Sequence, residues 1–433
     1  MTEQNNHIYK RLGFLSTRFQ GNDGVSLETH KWVTVLQKMG HTCYWFAGRM
    51  DTPPDRSYHC ELAFFDHPEV VELQRGLFGV QIRSRETTDK IMDIKERLKD
   101  EIYAFIEKFN IEILVPQNVL AIPMHVPFGL AMTEVIMETG LPTIAHHHDF
   151  FWERDRFRIS NVRDYLEMAF PPVLRLNNFE HVVINSPAQH EMARRRGVPS
   201  TLIPNVFDFE TPAPPLDAYS QDFRETFGIE KDDIMILQPT RIVSRKGIEH
   251  AIELTRRLNP HFPDRDVHLV VSHDAGDEGM EYLEMLKERA EESGIHMHFL
   301  GERVKEQRSR DDFGNKCYTL WDVYPHADLV TYPSLYEGFG NAFLEAVYFR
   351  KPLLVNLYAI YLRDIKPLGF KAVEMSGYVT NSTVRQVVEI LRNDKLREEW
   401  CDINYSICSR NFSYKVLQSK LKLRLFSVID QQV

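Results

Sequence analysis

The chain has 433 residues, which suits about two domains of roughly 200 residues each rather than one ordinary core. Apolar residues make up 43% and charged residues 26%, an ordinary soluble globular composition. The net charge of -10 argues against a general nucleic-acid binder and, less strongly, against partnership with an anionic membrane surface.

The chain opens on "MTEQNNHIYKR", which is polar and carries no signal-peptide core. "RLGFLST" then reads as a first strand and "SLETHKWVTVLQKMG" as a helix, with Val33, Leu36 and Met39 at helical spacing and Gly40 as its stop. "HTCYWFAG", "IEILVPQ", "PTIAHHHD" and "HVVINS" follow as strands, the last three each preceded by a helix-like segment. This β-α-β alternation implies a parallel sheet with helices on both faces. At "IPNVFDFETPAPPLDAYS" the prolines 204, 212, 214 and 215 cluster, which reads as a hinge or linker. The alternation then restarts with strands "DIMILQPT", "DVHLVVSH", "MHFLG", "DLVTYPS" and "PLLVN" and helices "GIEHAIELTRRL" and "GMEYLEMLKERAEESG". A last helix, "FSYKVLQSKLKLRLFSVI", could cap the second domain or cross back to the first. The expected layout is a domain over 1–206, a second over 207–410 and a terminal helix over 411–433. No window reaches the ~18 apolar residues of a membrane span, so no stable membrane insertion is expected. The cysteines at 43, 60, 317, 401 and 408 show no C-x-x-C spacing, so neither a zinc site nor a disulfide framework is indicated, and a reducing cytosol is the default.

In open α/β sheets ligands bind beyond the carboxyl ends of the strands, so the segment after each strand is where chemistry belongs. "TRFQGNDGVSLE" puts Gly21 and Gly24 before a helix that should start near Ser26, either a phosphate or sugar cradle or an ordinary turn. "HHHDFFWERDRFR" carries three consecutive histidines, a poor fit to metal-ligand spacing; His146 and His148 share one face of an extended chain and His147 takes the other. Arg154, Arg156, Arg158 and Arg163 suit an anionic acceptor or, with the interleaved acids, a solvated mixed-charge face. "RIVSRKG" gathers Arg241, Arg245 and Lys246 at one strand-to-helix turn, a good seat for a diphosphate. In "YPSLYEGFGNAFLEAVYF" seven residues separate Glu337 from Glu345 across a glycine loop. If Asn341 begins the helix, both carboxylates can address hydroxyls of one bound molecule. The apolar neighbours of Glu345 make a chance placement less comfortable, since a buried unpartnered carboxylate is costly.

At this point the residues reach a family. "PSLYEGFGNAFLEA" resembles the E-x7-E signature of retaining glycosyltransferases with the GT-B fold, the large family that includes sucrose-phosphate synthases and many bacterial mannosyl- and glucosyltransferases. "PTRIVSRKGIEHAIEL", the N-terminal glycine loop and helix, "LPTIAHHHD" and "LIPNVFD" are similar to further motifs of that family, in order along nearly the whole chain. The resemblance implies an α/β architecture of two Rossmann-like doubly wound domains facing a central cleft. It implies a nucleotide-diphospho-sugar donor, a small-molecule acceptor and no required metal or other cofactor. Residue by residue, Arg241 and Lys246 would neutralise the departing diphosphate. Glu337 would meet the donor sugar and Glu345 the ribose hydroxyls. The backbone of Phe339, Gly340 and Asn341 would approach the sugar and diphosphate, and Gly24 the diphosphate. Arg303 and Val304 would lie where the base is contacted. The family's active-site histidine falls on His148, with His147 as second choice. The nearby Arg154 and Arg156, together with His147, would take a small anionic acceptor such as a glycerate or a sugar derivative. Some members of the family build mannosyl- or glucosyl-glycerate solutes.

Two stretches depart from the family pattern: "KEQRSRDDFGNKCYT" is longer than usual, and "LYAIYLRDIKPLGFKAVEM" replaces a common Gly-Gly-x-x-Glu loop. Both would border the nucleotide or sugar pockets, where donor identity is set. Two other readings fit parts of the sequence. One is a non-catalytic GT-B sensor or scaffold, which the retained Arg241, Lys246, Glu337 and Glu345 argue against. The other is a lipid-acceptor enzyme touching membranes through Arg194 to Arg196, although those arginines more simply form a solvated helix end.

Overall fold

The computed structural model describes residues 9–21, 23–275 and 280–430. Asn22 of the glycine loop, Gly279 at the head of an expected helix and the polar stretch 1–8 lie outside the described residues. The chain forms two compact units, residues 1–205 with 414–433, and residues 206–413.

The first unit is built on seven parallel strands. Arg11–Leu15 pairs on one side with Thr42–Ala47 and on the other with Ile113–Pro116. Ser57–His59 extends the first side; Thr143–His147, Phe179–Val183 and Thr201–Leu202 extend the second. The strand order therefore reverses beside Arg11–Leu15, the point at which a doubly wound sheet opens a crevice at its carboxyl edge. Strands covered on both faces should be apolar throughout rather than alternating, and Ile113–Pro116 and Thr143–His147 are buried at every position.

The Arg85–Phe109 helix carries much of this unit's core. Ser84 caps it by accepting from the Thr87 amide, and Asn110 ends it in the left-handed region at φ 48°. Ile91, Ile94, Leu98, Ile102, Phe105 and Phe109 repeat at helical spacing and are buried. Phe105 meets the rings of Phe46, Tyr58 and Phe109. The glycine loop helix runs Gly24–Lys38, two residues longer at its start than the sequence suggests, because the Asp23 carboxylate accepts from the Val25 and Ser26 amides and so caps it. The final helix, Tyr414–Asp430, belongs to the first unit: Lys420 Nζ donates to the Leu202 carbonyl at 2.8 Å and Arg424 reaches Glu180 at 3.3 Å. Arg196 pairs with Glu167 and Arg195 with Glu191, so two of the three consecutive arginines close a helix end on carboxylates.

The second unit repeats the plan with six parallel strands, in the order His296–Phe299, Val267–Val271, Ile234–Gln238, Leu329–Tyr332, Leu353–Asn356 and Val373–Met375. Its order reverses between Ile234–Gln238 and Leu329–Tyr332. The long "KEQRSRDDFGNKCYT" segment is not a loose loop. With Val304 it makes a small sheet of Val304–Lys305, Lys316–Thr319 and Ser309–Arg310, tied down by Arg308 to Asp217 and Asp322. No helix among the described residues is long and apolar enough to cross a membrane. All five cysteines are unpaired and buried.

Truncating a fully buried aromatic at the centre of this core removes packing that cannot collapse. Phe105→Ala is expected to lower stability by about 3–5 kcal/mol, read as a lowered urea midpoint by tryptophan fluorescence.

Candidate active site

In the second unit the reversal point brings together the ends of Ile234–Gln238 and Leu329–Tyr332. The turn after the first of these strands carries Arg241, Arg245 and Lys246, and the loop after the second carries Glu337. Lys246 Nζ lies 2.5 Å from Glu337 Oε1, and Arg245 Nη1 lies 3.4 Å from Glu337 Oε2. Burial opposes ionisation of Glu337, yet the charges of Lys246 and Arg245 outweigh it and hold the carboxyl below the usual carboxylate range. Burial also pulls the Lys246 ammonium below the ordinary lysine range; Glu337 pulls it back up, and Arg245 and Arg241 push it down. Lys246 and Arg245 thus share one buried carboxylate, and Arg241 acts on Lys246, leaving a local excess of positive charge at a strand end. Such an excess is what an incoming diphosphate would neutralise.

Glycines let the two loops approach. Gly247 sits at φ +62°, and a Cβ there would lie 2.6 Å from the Pro333 carbonyl oxygen. Gly340 sits at φ +126°, and a Cβ there would meet the Tyr358 hydroxyl at 2.6 Å. The Asn341–Tyr348 helix starts at Asn341, with Gly340 as its cap residue. The Phe339 carbonyl accepts from Tyr358 Oη at 2.9 Å, and the Ser334 carbonyl accepts from Asn356 Nδ2 at 3.0 Å. Tyr358 lies in the stretch that replaces the common family loop, so that stretch holds the glycine loop in shape. Glu345, one turn into the helix and only partly buried, accepts from the Tyr324 hydroxyl at 2.9 Å.

His273 is a member of this cluster that sequence reasoning missed. It stands just past Val267–Val271, with its Nδ1 2.9 Å from Ser272 Oγ. Burial, then the charges of Arg241 and Lys246, bring it down to about 4, which keeps the imidazole neutral beside the cations. Its signal was its place after a strand, the same signal that flagged the other turns.

Arg303 and Val304 lie at the inserted sheet. The Arg303 guanidinium lies 5.3 Å from the centre of the Phe227 ring and its Nε donates to the Lys316 carbonyl, while Val304 pairs with Tyr318. The Arg303–Phe227 contact joins the inserted sheet to the rest of the unit, and Val304 pairs within the sheet.

In the first unit, His148 follows the Thr143–His147 strand. Asn118, at φ 61° just past the neighbouring strand, accepts from the His148 amide at 2.9 Å and donates to Asp149 at 2.8 Å. The His146 and His148 rings lie 4.4 Å apart on one face, and His146 stacks on Trp32. His148 Nε2 is buried without a hydrogen-bond partner. Burial brings His148 down to about 4, against the pull of Asp149 and Asp23. Asp23 caps the helix that begins at Gly24, so the glycine loop and His148 share one neighbourhood, and a Cβ on Gly24 would meet no protein atom within 4 Å.

His147 does not join that group. It turns to the opposite face, where its Nε2 lies 2.9 Å from His181 Nδ1 and almost none of the residue is exposed. Strand alternation sends it to the face opposite His146 and His148. Arg154 and Arg156 also part company. Arg154 pairs with Asp149 at 2.5 Å, next to His148, whereas Arg156 lies against Met124 Sδ and over the Phe157 ring.

Two doubly wound units in tandem, the second with a cation-rich strand end, are the architecture of the GT-B class. The model of the family described as "Glycosyl transferases group 1" matches residues 220–405. The mannosylglucosylglycerate synthase of Thermotoga maritima is 32% identical over 429 residues, covering 92% of this chain and 96% of its own. The enzyme of the same name from Petrotoga mobilis is 31% identical over 384 residues, covering 84% and 86%. The chain belongs to the group 1 glycosyl transferases. The solved sucrose-phosphate synthase of Thermosynechococcus elongatus, at 16% identity, superposes with a TM-score of 0.63 over 96% of this chain and 99% of its own, a likeness of fold.

Because the folded state holds Glu337 below its unfolded pKa, its charge stabilises the fold above the ordinary glutamate range, and that contribution is lost as pH falls through the depressed folded value. Glu337→Gln strands Lys246 and is expected to cost about 3–5 kcal/mol near neutrality. The gap in melting temperature from wild type should narrow in acid; a gap that is constant with pH would remove Glu337 as the cause.

Proposed function

We propose that this glycosyltransferase moves a hexose, of the mannose type, from a nucleoside diphosphate sugar to a hydroxyl of a glycerate-bearing acceptor. The reaction retains anomeric configuration and uses no metal. The observation that carries this reading is Lys246 and Arg245 on Glu337, with Arg241 acting on Lys246, at the second unit's reversal point. Relatives named mannosylglucosylglycerate synthase over nearly the whole length support the choice of sugar and acceptor. A third relative, named mannosylfructose-phosphate synthase and matched over 38% of this chain, also names mannose and an anionic group.

In this reading Arg241 and Lys246 take the charge that develops on the departing diphosphate, which is the largest electrostatic demand of the reaction. Fixed side-chain cations and the amides at the head of the Asn341–Tyr348 helix supply the positive charge that a metal would otherwise provide. The acceptor oxygen attacks the anomeric carbon on the face the diphosphate leaves, the carbon–oxygen bond to the diphosphate breaks, and a leaving phosphate oxygen takes the hydroxyl proton. Glu337 addresses the hexose hydroxyls and Glu345 the ribose. His148, neutral and with a free buried Nε2, accepts from or donates to a sugar hydroxyl. Arg154 offers charge to the acceptor carboxylate. We place the enzyme in the cytosol, a reading supported by its five unpaired cysteines.

Arg241→Ala and Lys246→Ala should each lower transfer about 10²-fold or more, measured as product formed from GDP-mannose and glucosylglycerate. Activity within a few-fold of wild type would sink the assigned roles. Transfer should also persist in excess EDTA, whereas loss of activity restored by a divalent ion would reverse the metal-independent assignment. A thermal-shift screen of GDP-, UDP- and ADP-sugars should pick out one base, because a bound ligand stabilises the fold by mass action. A flat response to all three would count against the donor class.

A further inference from the structure

The second unit's sheet has a second concentration of polar side chains, at its amino edge, opposite the end that carries Lys246 and Glu337. Asp233 immediately precedes Ile234–Gln238, Asp266 immediately precedes Val267–Val271, and His268 lies one residue into the latter strand. His296 begins the next strand and is the direct register partner of His268. One ligand atom each from Asp233, Asp266 and His268 can be chosen so that all three lie within 4.8 Å of one another. Parallel pairing produces this juxtaposition, because it brings the starts of three strands to one edge.

The geometry has the marks of an organised set. Asp233 is fixed by two amides: Oδ1 accepts from Asp266 N at 3.1 Å and Oδ2 from Glu230 N at 2.8 Å. The same Oδ2 lies 3.1 Å from His268 Nε2. His268 Nδ1, on the other side of the ring, lies 2.9 Å from His298 Nε2. A metal-bound imidazole needs its far nitrogen to donate to an acceptor, which fixes the tautomer and the ring plane, and His298 stands where that acceptor must be. The His296 ring stacks on His268 at 4.9 Å, and its Nε2 lies 3.7 Å from Asp266 Oδ2, within reach of becoming a fourth ligand. His268 is buried while Asp266 is two-thirds exposed, so the set has a fixed floor and a movable, water-facing side.

We propose that Asp233, Asp266 and His268, with His296 closing the fourth position, bind one divalent ion of the zinc class. Mixed imidazole and carboxylate ligands at strand starts suit zinc, cobalt or nickel rather than magnesium or calcium, which prefer oxygen alone. The 4.8 Å spread is wider than a tetrahedral ligand set, so the exposed Asp266 side chain swings inward on binding. The ion would clamp three strands at the end of the sheet away from the sugar-transfer site, giving it a stabilising role and leaving the chemistry metal-independent. It does not depend on the donor or acceptor assigned above.

The test uses full-length, untagged protein stripped with chelator and titrated with Zn²⁺ against a chromogenic competitor. The expected result is one ion per chain with a dissociation constant on the order of 10 µM or tighter, with a rise in melting temperature. Co²⁺ should give visible bands of nitrogen and oxygen ligation without a thiolate charge-transfer band. Asp266→Asn, a surface change, and His268→Asn should each weaken binding at least ten-fold, and Asp266→Asn should leave sugar transfer unchanged. Three outcomes would overturn the proposal: no saturable site below ~100 µM, affinity unchanged in both variants, or thiolate bands from Co²⁺.

Discussion

The ion pair between Lys246 and Glu337 is the interaction on which the rest of the second unit's site depends. A lysine this deeply buried needs a carboxylate close by, and the carboxylate in turn needs more than one cation to stay ionised away from water. The pair also spans the reversal point of the sheet, because the two residues follow the two strands between which the order turns. Placing Lys246 therefore places Arg245 and the turn that ends at Gly247. Placing Glu337 places the glycine loop and the helix behind it. A diphosphate arriving there would meet cations already oriented, with their desolvation already met by Glu337.

Around that pair the chain spends polar side chains on shape. Tyr358 holds the Phe339 carbonyl and fills the space a Cβ on Gly340 would need. Asn356 holds the Ser334 carbonyl and accepts from the Gly377 amide. Tyr324 steadies Glu345. Of these, only Tyr358 lies in a stretch that departs from the usual family sequence, so the departing stretch still supplies one brace of the glycine loop. In the first unit Asn118 does comparable work, fixing the strand end that presents His148 through one amide and one carboxylate contact.

Much of this was legible before any fold was seen. Buried parallel strands read as continuous apolar runs, and each of the ten runs singled out as a strand overlaps one. The residues after those runs were the right places to look, since a doubly wound sheet binds at its carboxyl edge. Less was legible in short elements. Ser57–His59, Thr201–Leu202 and the small sheet over 304–319 have too few residues for a period to show, and their pairing partners supply the hydrogen bonds that make them strands. His147 illustrates a different limit. Alternation separates it from His148, but only the neighbouring strand, carrying His181, shows what it meets instead.

The sequence by itself determined the class of fold, the turn that carries Arg241, Arg245 and Lys246, and the two glutamates flanking the glycine loop, because periodicity, glycine and charge are local properties of the chain. Tertiary structure decided which of those groups share one electrostatic environment. Lys246 and Glu337 are ninety-one residues apart, and His273 comes under the charge of Lys246 from the end of a third strand. Arg303 meets Phe227 and the Lys316 carbonyl of the inserted sheet, both distant from it in the chain. Pairing of distant strands sets those neighbours, and coulombic and desolvation effects depend on distance and burial, neither of which is written in the order of residues.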